Sequence, residues 1–368
     1  MFVNLKMSCG FSEQLFSVLA QKASSMSDQE KYCTLCFDEM SLSAGLSYDN
    51  GTDTILGFEN FGCYGGTKNV ANHALVFMAS GLFSSWSQPL GYFFSRNATP
   101  ARMLEVLMFE CLATLKKCGF IVKGVVCDMG TCNQQLASSL NVIPNHPFFT
   151  FQDEKVFFFF DPPHLLKCVR NNLNGHDFVI NDSETVSWKY IEDLYKEDCK
   201  KTISLRVAPK LTKTHIYLPA FSRMKVKRAS QVFSLSVHAG LLTYICSGDI
   251  PHDAFHTAVF VKTMDTLFDI FNASSKFDTK VFKRALCEGS PSFDFLSKVV
   301  EIFSSLKVVG LRQQPPCFRG WIQTINALKA LWNDVRENVR AVSYICTRKI
   351  SQDCLENCFS KVRGKGGF

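Results

Sequence analysis

The sequence predicts an α/β protein: a mixed sheet with helices on its faces, followed by a long, mainly helical region. Three observations lead there. Strand-length apolar runs crowd roughly the first 160 residues, amphipathic helices begin to alternate with them near residue 99, and helical periodicity takes over beyond about residue 185.

Composition sets the limits. A chain of 368 residues exceeds what one core usually organises, so two domains are expected. A hydrophobic content of 46% with 20% charged residues excludes global disorder. The net charge of +7 leans towards an anionic partner without naming one. Sixteen cysteines without a secretory leader read as reduced thiols of cytosol or nucleus. No membrane partner is expected, because no apolar run approaches the roughly 20 residues that span a bilayer. The sequons at Asn97, Asn181 and Asn272 then read as chance matches.

The elements follow in order. A helical lead-in over residues 12–30 places Leu15, Phe16 and Leu19 on one face. "YCTLCFDEMSLSAGLSYD", "DTILGFENFG" and "PLGYFFS" read as three strands, close enough in sequence to be antiparallel neighbours. "TPARMLEVLMFECLATLKKCG" is a helix with Thr99 at the N-cap, Pro100 in the first turn and Gly119 as its stop. "IVKGVVCD" is a strand, "NQQLASSLN" a short helix, "KVFFFFD" a strand, and "HLLKCVRNNL" opens another helix. Four later helices are expected in "SRMKVKRASQVFSLSVHAGLLTYI", "HDAFHTAVFVKTMDTLFDIFN", "SFDFLSKVVEIFSSL" and "RGWIQTINALKALWNDVREN". "SQDCLENCFSKVRG" forms the last one.

Three strands end in an aspartate: Asp38, Asp128 and Asp161. Carboxylates at strand ends can converge at one sheet edge and hold divalent metals for phosphoryl transfer. They can equally cap the turns that follow strands. Glu356, one turn from Asp353, is a fourth candidate, although an exposed acidic helix face explains that spacing as well. Other chemistry is weakly signalled. Cys33 and Cys36 form a C-x-x-C with no second pair, so buried strand residues are the simpler reading than zinc. His252 and His256 lack the glutamate of a metalloprotease helix, and no Rossmann, nucleophile-elbow or P-loop glycine pattern occurs; "RGKGGF" is not a phosphate loop in its context. Arg223, Lys225, Lys227 and Arg228 form either a solvated helix face or a phosphate-contacting patch.

Six ordered stretches resemble one family. "CFDEMSLSAGLSYDNGTDTILGFENFG", "VVCDMGTCNQQLASSLNV", "FFDPPHLLKCVRNNL", "KLTKTHIYLPAFSRMKVKRASQVFS", "FRGWIQTINALKALW" and "ISQDCLENCFSKVRGKGG" are similar to motifs of P-element-type transposases, including the THAP-domain transposases. The resemblance covers roughly residues 12–368. It implies an RNase H-like mixed sheet with flanking helices, interrupted by a mainly helical GTP-binding insertion domain. The expected limits are 1–30 for the helical lead-in, 31–175 for the RNase H-like domain, 176–345 for the insertion and 346–368 for the returning C-terminal helix.

The resemblance further implies a catalytic and metal-binding triad of Asp38, Asp128 and Glu356. It implies guanine-nucleotide contacts from Lys210, Lys225, Val226, Ser234, Phe268, Asp269, Asn272 and Asp353. The implied cofactors are Mg²⁺ or Mn²⁺ and GTP. The implied partners are transposon-end and target DNA, with a homo-oligomer forming on DNA in the nucleus. The expected function is therefore a DNA transposase core using two-metal phosphoryl transfer, with GTP as a structural cofactor. The alternative is a truncated or domesticated transposase-derived protein that binds GTP or nucleic acid without catalysis; a generic nuclease of the same fold is a third reading. Two departures bear on this choice. The family's zinc-coordinating THAP finger has no counterpart in the sequence, and the family's "ENFFG" reads "ENCFS" here, with Cys358 and Ser360.

Overall fold

The computed structural model describes residues 8–51, 53–339 and 342–365. The first seven residues of the expected lead-in and the last glycines of "RGKGGF" lie outside the described residues. The chain divides into two compact units, Met1–Asp161 with Ala330–Phe368, and Pro162–Lys329.

The first unit is built on a nine-stranded mixed sheet. Helix α1 (Glu13–Ser24) precedes it, with Ser12 accepting from the Leu15 N–H at its start and Leu15, Phe16, Leu19 and Ala23 buried. Five strands form the heart of the sheet: β1 (Tyr32–Ser41), β2 (His73–Gly81), β3 (Ser87–Ser95), β4 (Ile121–Cys127) and β5 (Glu154–Phe160). β1, β2 and β3 are antiparallel neighbours, whereas β1, β4 and β5 run parallel. A strand at Phe148–Phe151 forms one edge beside β5, and short strands at Phe58–Asn60 and Gly66–Val70 form the other.

The sheet differs from expectation in its centre. β2, which pairs with both β1 and β3, carries "HALVFMASG", a stretch without polar alternation because nearly every residue is buried. "DTILGFENFG" supplies two three-residue strands in different sheets, at Thr54–Leu56 and Phe58–Asn60.

Helix α2 (Ala101–Lys117) buries Leu104, Leu107, Met108, Cys111, Leu112 and Leu115 along one face. Its N-cap is Pro100 rather than Thr99. Thr99 Oγ1 is buried and accepts from none of the helix N–H groups, so it does not cap; the Thr99 N–H donates to Glu39 Oε1 at 2.6 Å. Gly119 closes the helix at φ 89°, a left-handed conformation that costs glycine little. Helix α3 (Thr131–Ser139) follows β4.

Lys123 on β4 is buried, yet its ammonium lies 3.0 Å from Glu154 Oε2 and 3.1 Å from Asp334 Oδ2. Removing one member of a buried ion pair leaves the other charge without compensation. Lys123→Met is therefore expected to destabilise the protein by about 2–3 kcal/mol, read as a lower urea midpoint with an unchanged slope.

The second unit is mainly helical. Its helices include α4 (Pro162–Gly175), α5 (Trp188–Cys199), α6 (Val226–Val232), α7 (Leu235–Ser247), α8 (Ala254–Phe271), α9 (Ser292–Ser305) and α10 (Pro316–Asn338), the last ending within the first unit. A small sheet of Phe178–Ile180, Glu184–Val186 and Lys307–Val308 accompanies them. α4 begins on the two prolines, where the missing N–H groups have no intrahelical partner to lose.

The expected single helix over residues 222–245 is divided. Ala220–Arg223, α6 and α7 are separate, and Ser234 opens α7 by accepting from the Val237 N–H at 3.4 Å. Val226–Ser247 has the length and hydropathy to cross a bilayer, but this break falls inside it. The core of the unit centres on α8, with Phe260, Val261, Met264, Leu267 and Phe271 buried. Asp198 is also buried, held by the N–H groups of Val207 and Ala208 and by the Tyr244 hydroxyl.

The final helix α11 (Asp353–Lys365) returns to the first unit and packs on β1 and β2. It buries Leu355 and Phe359 and leaves Glu356 exposed.

Candidate active site

Strand register brings the aspartates to one level. Cys36 pairs with Val126, so Asp38 and Asp128 each lie two residues further along parallel strands. Phe160 pairs with Cys127, so Asp161 and Asp128 each lie one residue further. Beside them opens a cleft of about 300 Å³ lined by Asp38, Glu39, His73, Asp128, Thr131 and Asn133, among others.

The two cleft aspartates are held differently. Asp38 Oδ1 accepts from the Glu39 N–H at 2.8 Å. Asp128 Oδ1 accepts from the Gly130 N–H at 2.9 Å and from Asn133 Nδ2 at 2.6 Å. Both of these bonds use the same oxygen. Among the described residues none donates to Asp128 Oδ2.

Burial pushes the Asp38 carboxyl up to about 8, with the negative charges of Asp128, Glu356 and Asp161 adding to it; the Glu39 N–H bond opposes the shift. All three of those carboxylates are therefore within electrostatic reach of Asp38. Among the described residues no salt bridge neutralises Asp38, Asp128 or Glu356. Among the described residues, Asp38, Asp128 and Glu356 thus bring together negative charge that no salt bridge offsets.

Gly130 protects this arrangement. A Cβ there would stand 3.0 Å from Asp128 Oδ1. Gly130→Ala is expected to displace the carboxylate and slow metal-dependent turnover about 3–10-fold, with stability changed by less than about 1 kcal/mol. Paired rate and thermal-denaturation measurements check both parts.

The donor set suits a hard divalent cation. Among the described residues no three His, Cys, Asp or Glu side chains already form a closed metal cage. Mg²⁺ does not need one, because it binds through one or two carboxylates and keeps several waters. Asp38 and Asp128 meet that requirement, with Glu356 on the neighbouring helix. The C-x-x-C pair does not join them as a zinc site. Cys33 and Cys36 are core residues of β1, and Cys36 Sγ lies 3.5 Å from Cys354 Sγ.

The expected nucleotide contacts are distributed. In the second unit, Phe268, Asp269 and Asn272 share the last turn of α8 and its cap, Lys225 precedes α6, Val226 begins it, and Ser234 caps α7. Lys210 is exposed. Asp269 already engages Lys280 at 2.6 Å, with Asp265 3.7 Å from the same ammonium. Sequence reasoning passed over Lys280, whose partners lie on a preceding helix. Asp353 belongs to the first unit, where it pairs with Arg348 at 2.9 Å. Residues 199–248 contain nine Lys and Arg and no Asp or Glu. This signal was available in the sequence and concentrates positive charge in the second unit.

Comparison with known proteins supplies the family. The model described as TNP-like, RNase H N-terminal domain matches residues 7–141. The model described as TNP-like, GTP-binding insertion domain matches residues 163–285. Together they span well over half of the chain, in the order the fold requires. The chain belongs to the P-element-type transposase family.

Its relatives agree. The chain is 28% identical over 346 residues to the transposable element P transposase of Drosophila melanogaster, covering 92% of this chain and 43% of that protein. It is 27% identical over 371 aligned positions to the human DNA transposase THAP9, covering 94% of this chain and 40% of that protein. The chain thus spans about two fifths of the length of these two relatives. In structure it is similar to the Drosophila P element transposase of a strand transfer complex, with a TM-score of 0.86, 26% identity, and coverage of 99% of this chain and 78% of that one. The first unit is accordingly the RNase H-like part of the family's fold, and the insertion model falls in the second unit.

Proposed function

We propose that this chain is the catalytic core of a DNA transposase, which cuts DNA and joins the ends in a divalent-cation-dependent phosphoryl transfer. The observation that carries the reading is the gathering of Asp38, Asp128 and Glu356, none of them salt-bridged among the described residues. Asp38 lies on β1 and Asp128 directly follows the parallel β4 at one cleft, and burial together with the charges of Asp128, Glu356 and Asp161 raises the Asp38 carboxyl.

Asp38, Asp128 and Glu356 would hold two Mg²⁺ or Mn²⁺ ions. When bound, such ions supply activation of the attacking hydroxyl and stabilisation of the leaving oxygen. The protein's own contribution is placement. β1 and β4 fix two carboxylates on a rigid sheet, Gly130 and Asn133 orient Asp128 through one oxygen, and α11 presents Glu356 from a neighbouring layer. At neutral pH Asp38 must lose its proton before it can bind a cation, so cation uptake releases a proton there.

GTP is read as a structural cofactor of the second unit rather than as fuel. The acid-free, lysine- and arginine-rich stretch supports binding of a polyanion, and no P-loop pattern provides a hydrolytic site. Homo-oligomerisation on DNA and nuclear action belong to the same reading.

The test is cleavage and joining of pre-nicked transposon-end DNA with Mg²⁺ or Mn²⁺, with and without GTP, comparing wild type with Asp128→Ala. Metal-dependent products from wild type alone support the reading. A wild-type protein that binds GTP but yields no DNA product with either cation points instead to a transposase-derived binding protein.

A further inference from the structure

The geometry points to Asp161 and Gln352 as a positioning clamp that sets Asp38, Asp128 and Glu356 relative to one another; this inference rests on the reading of those three as the catalytic carboxylates. Asp161 directly follows β5 and is buried, 6% exposed. Its N–H donates to the carbonyl of Cys127 at 2.8 Å, one residue before Asp128. Its Oδ1 accepts the N–H of Gln352 at 2.9 Å. Gln352 is itself buried, 3% exposed, and its Nε2 donates to the carbonyl of Phe37 at 2.8 Å, one residue before Asp38. The Gln352 carbonyl accepts from the N–H of Glu356 at 2.9 Å, within the first turn of α11. Four hydrogen bonds thus run between the residue before Asp128, the residue before Asp38 and Glu356 itself.

Each link has a physical reason. A helix start leaves N–H groups without intrahelical acceptors, and a side-chain oxygen there satisfies one. A buried hydrogen bond is directional, so it fixes where α11 begins. The Gln352 amide then ties that beginning to β1. Side-chain donors and acceptors buried this deeply are costly to leave without partners, so the arrangement has little freedom to drift. Glu356 is exposed and sits one turn into the helix, within electrostatic reach of Asp38; its position depends on how the helix start is held. Asp161 therefore acts through the helix start, as a positioning residue rather than a catalytic one.

Substitutions separate the roles. Asp161→Asn keeps an oxygen that can accept from Gln352, whereas Asp161→Ala removes it. Mn²⁺ affinity, measured by the loss of the free-ion electron paramagnetic resonance signal, is expected to fall at least 10-fold in Asp161→Ala and by no more than 3-fold in Asp161→Asn. At saturating Mn²⁺ the DNA-joining rate is expected to fall 10–100-fold and by no more than 3-fold, respectively. Asn damage equal to Ala damage would overturn the clamp, since it would make the Asp161 charge itself the functional element. Wild-type affinity and rate in Asp161→Ala would overturn it equally. If Asp161→Ala does not fold, Gln352→Ala decides, because it cuts only the tie to Phe37: a 3–10-fold loss of Mn²⁺ affinity supports the clamp, and unchanged affinity overturns it. Wild-type protein that binds no Mn²⁺ would fail before any substitution is compared, and would overturn the functional reading beneath the clamp.

Discussion

Asp128→Asn is expected to lower Mg²⁺-dependent DNA cleavage at least a thousandfold while leaving the fold intact. The substitution is nearly isosteric. The Gly130 N–H and Asn133 Nδ2 bonds both end on one oxygen, which an asparagine can still offer. What disappears is the negative charge and the second carboxylate oxygen, the one to which no described residue donates. A thousandfold loss corresponds to about 4 kcal/mol of transition-state stabilisation, a reasonable share for one metal-holding carboxylate. The melting temperature at neutral pH should change little, because Asp38 already holds its proton there. Activity retained within tenfold would remove Asp128 from the site.

The second large effect is on stability and its pH dependence. The Asp38 carboxyl titrates at about 8 in the folded protein, against an ordinary value of 3.8. Between those values the folded state keeps a proton that the unfolded chain has released. Raising the pH through that window therefore removes stability: the penalty is absent below the unfolded value and complete above the folded one. Its size is on the order of 3–5 kcal/mol for an isolated, metal-free protein. Asp38→Asn cannot carry the charge, so at pH 8.5 it should be more stable than wild type by a similar amount, while below pH 4 the two should match. Divalent cation should recover part of the same stability in wild type and none in the variant. Urea unfolding at several pH values checks this, and identical pH profiles for the two proteins would contradict it.

The carboxylates beside the sheet were legible in part: β4 and β5 stop just before Asp128 and Asp161 as expected, but β1 runs on past Asp38 to Ser41, because Glu39–Ser41 keep pairing with β2. "LCFD", "VVCD" and "FFFD" each terminate an apolar run in a carboxylate, and parallel register aligns them. Glu356 was different. Its spacing from Asp353 fits any exposed helix face, and only the family resemblance selected it. β2 escaped the sequence reading because a central strand buried on both faces lacks alternation, and "HALVFMASG" mixes small and large apolar residues. Thr99 has the composition of an N-cap, but its hydroxyl is buried and reaches no helix N–H, and the helix opens one residue later.

The clamp could not be read from local sequence at all. Gln352 and Phe37 are 315 residues apart, and Gln352 and Asp161 are 191 apart. A single glutamine before a helix carries no periodicity to mark it. The four phenylalanines before Asp161 told only that β5 is buried. The side chain's role became visible once α11 was placed beside it.

The most direct measurement is a crystal structure of the protein soaked in Mn²⁺, with anomalous differences locating the ion. The account predicts Mn²⁺ between Asp38 and Asp128, with Asp128 using the oxygen not held by Gly130 and Asn133, and with Asp161 still bonded to Gln352. A well-occupied ion elsewhere, with the Asp38 and Asp128 carboxylates both bare, would contradict it.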